Sequence, residues 1–121
     1  MAEKMNWNYV AQALNGPSVS GAGSMEVDAY DKFDITVADG ATQAVNLVPG
    51  DSLSLLIINP RTPSADLTYA VGGNDVPLDG PHVLIGAGAV SLLGGATSLS
   101  FTNHTGTDAA IEILIGRDAT P

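Results

Sequence analysis

The fold class predicted by this chain is all-β: a two-sheet antiparallel β-sandwich of jelly-roll type, with a short N-terminal arm or helix. Three observations predict it. Short runs alternate apolar and polar residues with a period of two, as in Lys32–Val37, Ser52–Asn59, Thr97–Asn103 and Ala109–Gly116. Gly, Pro and Asx signals separate about eight such runs at intervals of roughly 8–12 residues. The 121 residues are 45% apolar, enough for one domain to bury a single core. An open barrel is the alternative architecture.

Residues 1–23 read as an N-terminal arm and flexible connector, and residues 24–121 as the sandwich. Trp7, Val10, Ala11 and Leu14 share one helical face, with Asn15-Gly16-Pro17 as a stop. Trp7, Tyr9, Ala11 and Ala13 also alternate, so an extended arm fits the same residues. Pro17–Ser24, rich in Ser and Gly, reads as the connector.

From Met25 onward the period of two dominates. Met25, Val27, Ala29, Phe33, Ile35 and Val37 share one parity, with Glu26, Asp28 and Asp34 on the opposite, wet face. Asp39-Gly40 marks a turn, Ala44–Val48 a short strand, and Pro49-Gly50-Asp51 its close. In the next run Leu53, Leu55 and Ile57 alternate, while Leu56 and Ile58 fill the other face. That pattern predicts a central strand, or one whose outer face meets another subunit. Asn59–Asp66 holds two prolines and predicts a loop. Leu67–Val71 is a strand, Gly72–Asp75 a tight turn, and Val76-Pro77-Leu78 an edge segment. His82–Ile85 and Ala89–Leu93 read as short strands broken by glycines. Thr97–Asn103 and Ala109–Gly116 read as a hairpin closed by His104–Asp108.

Charge narrows the function classes. The net charge is −9, with only four Lys and Arg, which argues against a nucleic-acid or anionic-membrane surface. Charged residues make up only 14% of the chain, where about 25% is usual. A folded monomer of this mass exposes on the order of 6,100 Å², so charges fall roughly one per 360 Å². We read this scarcity as a sign that part of the surface is covered in use, by a homo-oligomer or a larger assembly. The acidic faces must then point away from the contacts, since each subunit adds its own negative charge. No run reaches the ~18 apolar residues of a membrane span. Met1–Asn8 is not followed by a signal-type apolar segment, so synthesis in the cytoplasm is expected. The absence of Cys excludes disulfides and thiolate sites.

No motif here outweighs its structural reading. Gly86-Ala87-Gly88-Ala89-Val90-Ser91 follows an apolar strand as a dinucleotide fingerprint does, but Gly94-Gly95 arrives too soon for a crossover helix. Glu26, Asp28, Asp31 and Asp34 cluster in sequence without the spacing of a calcium loop, and read as a solvated acidic face. His82 and His104 are isolated and read as solvent-facing. Asn103-His104-Thr105 matches a glycosylation acceptor without a secretory route to use it. No nucleophile elbow is present, and aromatic residues are too few for a sugar-stacking cleft. No catalytic residue, cofactor or metal is expected.

In texture, residues 25–118 resemble the small β-sandwich virion proteins of tailed bacteriophages, of the head-decoration and accessory-tail type. The chain is acidic and poor in Lys, lacks Cys, and is rich in Ala, Gly, Ser and Thr. Its ending, Leu99-Ser100-Phe101-Thr102-Asn103 followed by Ala110 to Asp118, is similar to the strand–Asn–loop–strand close of such proteins. The resemblance implies a structural, non-enzymatic role. Subunits would bind one another, as a trimer first of all, and a capsid or tail lattice protein, with the virion as final location. The candidate interface residues are Trp7, Tyr9, Val10 and Leu14 on the arm, with Leu56 and Ile58 as surplus apolar positions. The competing reading is a monomeric ligand- or carbohydrate-binding β-module, with loops Asn59–Asp66 and Asn103–Asp108 forming its site.

Overall fold

The structure is a computed structural model and describes residues 3–47, 53–71, 73–93 and 98–117. The turn read at Pro49-Gly50-Asp51, Gly72 and the Gly94-Gly95 pair lie outside the described residues. The strands are β1 (Glu3–Gln12), β2 (Ser18–Val27), β3 (Ala29–Val37), β4 (Thr42–Asn46) and β5 (Leu53–Pro60). They continue with β6 (Ser64–Val71), β7 (Asn74–Leu78), β8 (His82–Ile85), β9 (Ser98–Asn103) and β10 (Ala109–Arg117). A single helical turn, α1 (Ala87–Val90), and a 3-10 turn (Ser91–Leu93) follow β8.

β1 and β2 form a separate two-stranded ribbon; the remaining strands form two four-stranded sheets, β3-β10-β5-β8 and β4-β9-β6-β7. All pairings are antiparallel. If β3 to β10 are counted as one to eight, the sheets read 1-8-3-6 and 2-7-4-5. That is the strand order of a jelly roll, two Greek keys wound into a sandwich.

Alternation decides which side chains meet between the sheets. Phe33, Ile35 and Val37 of β3 stand opposite Ile113, Ile111 and Ala109 of β10. Leu56 and Ile58 of β5 pair with Ile115 and Ile113. From the other sheet come Val45, Leu67, Tyr69, Leu78, Leu99 and Phe101. Phe101, Leu56, Ile58, Ile113 and Leu99 are fully buried, and truncating one of them to Ala costs about 2–5 kcal/mol by the cavity it leaves.

The two outer faces differ. On the β4-β9-β6-β7 sheet, the rows Thr42–Thr102–Thr68 and Ala44–Ser100–Ala70 face out, a polar surface of the kind expected over water. Thr42 and Thr102 join across it through their hydroxyls at 3.1 Å. On the β3-β10-β5-β8 sheet one end of the outer face is apolar, and it carries the ribbon.

Several expectations are corrected. β9 and β10 are not a hairpin, because they belong to opposite sheets. The buried side chain of Asn103 carries the chain across this corner. Its Nδ2 donates to the carbonyls of Val37 at 2.9 Å and Thr107 at 2.7 Å, and its Oδ1 accepts from the Thr105 N–H and hydroxyl. Leu56 and Ile58 are wholly buried and point inward, leaving Leu55 and Ile57 on the outer side. Pro17–Ser24 is largely strand β2 rather than a connector, and the alternating reading of β1 prevails over the helical one. β5 reaches Pro60 and β6 starts at Ser64, which shrinks the predicted loop to 61–63. Ala89–Leu93 is helical, closing the end of the sandwich with Val90 in the core.

Candidate assembly interface

The ribbon is the least buried part of the described molecule. β1 and β2 pair from Glu3↔Val27 out to Gln12↔Ser18, a span of about 33 Å at strand rise. The tip is tied by Gly16 N–H to the Ala13 carbonyl and Ala13 N–H to the Pro17 carbonyl. Asn15 takes the left-handed conformation there, with φ 57°, which asparagine tolerates.

The register sorts the ribbon's two faces. One carries Met5, Trp7, Tyr9 and Ala11 against Met25, Gly23, Gly21 and Val19. The other carries Lys4, Asn6, Asn8 and Gln12 against Glu26, Ser24, Ala22 and Ser18. Trp7 and Tyr9 stack with centroids 6.0 Å apart and planes 11° from parallel. Their rings lie over the facing glycines: a β-carbon at Gly23 would come within 2.6 Å of the indole, and one at Gly21 within 2.7 Å of the phenol. Bare glycine lets each ring lie flat across the partner strand, so the Ser/Gly composition of β2 belongs to the aromatic face opposite it.

At its base this apolar face is seated on the sandwich. Val27 is buried at 1% exposure, and Gly116 lies beneath it. A β-carbon at Gly116 would meet Met5 Sδ and Val27 Cγ1, each at 3.0 Å, with Leu55 at 3.4 Å. The Asp28 N–H donates to the Arg117 carbonyl at 2.9 Å where β2 passes into β3, and Arg117 pairs with Asp31 beside it. Beyond this seat, residues 8–20 are all exposed.

Among the candidates, Trp7 and Tyr9 come together on the apolar face. Val10, 71% exposed, lies on the opposite face, and Leu14, 93% exposed, sits in the tip turn. Leu56 and Ile58 are in the core and take no part. Sequence reasoning missed Met5 and Met25, which complete the apolar face. It also missed Tyr30, Ile57, Val83, Ile85 and Leu114, which face outward on the β3-β10-β5-β8 sheet. The signal for the ribbon was available, since Trp7 and Tyr9 share the spacing of Gly21 and Gly23.

The other candidate features are absorbed by structure. The far end of the same outer face forms a shallow groove of about 570 Å³ lined by Asp34, Thr36, Asn59, Arg61 and Glu112, among others. Its carboxylates are engaged: Lys32 Nζ lies 2.8 Å from Asp34 and 3.2 Å from Glu112, and Asn59 donates to Glu112. The hydrogen bond to Asp34, then that to Glu112, raises the Lys32 pKa. The two loops of the binding-module reading do adjoin, through His104 N–H donating to the Asp66 carbonyl. None of the groove's lining residues is aromatic. No cluster of three or more metal-ligating side chains occurs among the described residues. His82 is not solvent-facing as expected: its Nδ1 lies 2.7 Å from the Tyr69 hydroxyl, and burial raises the Tyr69 pKa. Gly86 leads into a four-residue helical turn behind an antiparallel strand, not into the parallel crossover that a dinucleotide fingerprint serves. No helix among the described residues is long and apolar enough to cross a membrane.

Compared with known proteins, the chain matches no family model, no curated protein and no solved structure.

Proposed function

We propose that this protein is a non-enzymatic structural subunit that assembles with copies of itself through its N-terminal ribbon. The observation that carries this reading is the Trp7–Tyr9 face, apolar and stacked, with Tyr9 48% exposed and Trp7 half-buried, along a ribbon two strands wide. Such a ribbon is marginal on its own and gains stability when a further layer covers it. The charge pattern supports the same reading. From Met5 to Met25 the ribbon carries no Asp, Glu, Lys, Arg or His, in a chain whose net charge is −9. Two acidic copies repel, so a contact between them is best made by a neutral surface.

A jelly-roll subunit that reaches a neighbour with an arm suits a repeating shell. We therefore keep the virion reading, a phage capsid-decoration or accessory tail protein acting as a trimer on a capsid or tail lattice, as the specific form of the proposal. Less supports the binding-module alternative: of its two loops only Asn59, Pro60 and Arg61 line the groove, which offers no stacking ring.

Light scattering at micromolar concentration tests the assembly. The intact chain is expected well above 12.3 kDa, and the double variant Trp7→Ser, Tyr9→Ser at the monomer mass with unchanged β circular dichroism. A wild-type mass of one subunit at all concentrations overturns the proposal.

A further inference from the structure

Resting on that self-assembly, we infer that the ribbon of one copy docks on the outer face of the β3-β10-β5-β8 sheet of another, over Tyr30, Ile57, Val83, Ile85 and Leu114. The register places these residues together: Leu114 pairs with Ile57, Ile57 with Val83, and Leu55 with Ile85. Tyr30 stands opposite Gly116. Val83 is 48% and Tyr30 55% exposed, while the other three are half-covered.

Three observations commit the occupant to a second copy's ribbon. First, this chain already shows the contact in miniature. Met5 and Val27, the inner residues of the ribbon's apolar face, pack over Gly116 beside Leu55 on the same outer face, and the strip continues from that seat through Ile85, the register partner of Leu55, and Tyr30, the register partner of Gly116. Second, charge is kept off the contact: the ribbon face from Met5 outward carries no Asp, Glu, Lys, Arg or His, and Lys32, which borders the strip as the register partner of Leu114, is paired with Asp34 and Glu112. Third, the strip is where the outer sheet surface is apolar, with Tyr30 and Val83 among the exposed large hydrophobic residues. The opposite sheet, with its Thr, Ser and Ala rows, offers no apolar strip of this kind.

The test uses the full chain. Val83→Lys sets a charge in the strip on an exposed edge strand, away from the core. It is expected to weaken association roughly tenfold or more, since a buried unpaired charge is costly, while circular dichroism and thermal midpoint stay near wild type. Because the protein has no Cys, single-cysteine variants report the contact directly. Ala11→Cys lies on the ribbon's apolar face and Val83→Cys in the strip. Mixed under mild oxidation, they are expected to form a disulfide-linked pair in clear excess over Ala11→Cys mixed with Ala44→Cys on the other sheet. A Val83→Lys protein that assembles as wild type, or equal cross-linking to Ala44→Cys, overturns this docking face and leaves self-assembly standing. A monomeric wild type overturns both.

Discussion

The indole of Trp7 lies across the backbone of Gly23, its register partner on the facing strand, so closely that a β-carbon there would fall 2.6 Å from Cζ2. The pair keeps the ribbon thin and its aromatic face flat. Gly23→Val is therefore expected to push the ring out of its stack with Tyr9 and to cost association, while the jelly roll melts as before. The emission of Trp7, the sole tryptophan, and the thermal midpoint separate these two effects.

Asn103 holds the corner between the sheets with both ends of its amide. Asn103→Ala leaves the Val37 carbonyl without that donor and is expected to destabilise the fold by about 2–4 kcal/mol. Urea unfolding checks it. Asn103→Asp should be worse at neutral pH than in mild acid, because an ionised carboxylate would face two carbonyl oxygens.

Tyr69 and His82 bridge the sheets at the β8 edge. Burial raises the Tyr69 pKa above the ordinary value of 10.0, so the folded state holds that proton more tightly than the unfolded one. The corresponding stability is fully present below pH ~10 and is lost as pH rises through the folded value. Lys32, raised through Asp34 and Glu112, acts with the same sign above its ordinary 10.5. Unfolding curves from pH 8 to 11 are expected to show falling stability at the alkaline end, with a smaller fall in Tyr69→Phe.

Assembly through the uncharged Trp7–Tyr9 face of the ribbon, between subunits of charge −9, would have a salt signature. Added NaCl screens the repulsion and leaves the apolar contact intact, so association is expected to tighten between 0.02 and 0.3 M, as the Debye length falls from about 20 to about 6 Å. Weakening over that range would mean that ion pairs, not apolar burial, hold the subunits.

How much of this could be read from the chain depends on where the alternation is unambiguous. Phe33, Ile35 and Val37 alternate with charged or polar neighbours, and their inward face was legible. In β5 both faces are apolar, so Leu56 and Ile58 could not be told from Leu55 and Ile57 by pattern. Only the pairing with β10 decides it. Short loops usually join paired strands, which is why the five residues between β9 and β10 suggested a hairpin; the buried amide of Asn103 instead turns the chain into the other sheet. β2 was hidden by composition, because glycines that serve the rings of Trp7 and Tyr9 look like a linker until β1 is laid beside them. The docking strip was hidden for a related reason. Tyr30, Ile57, Val83 and Leu114 lie on four strands, and only the strand order 1-8-3-6 brings them together.

The most direct measurement is the emission of Trp7 followed against protein concentration, alongside the sedimentation mass. If a second copy covers the ribbon, the emission shifts to the blue and acrylamide quenching falls as the mass rises, all with one midpoint. An emission and a quenching that stay as in the single subunit while the mass rises, or a mass that never leaves 12.3 kDa, contradict the account.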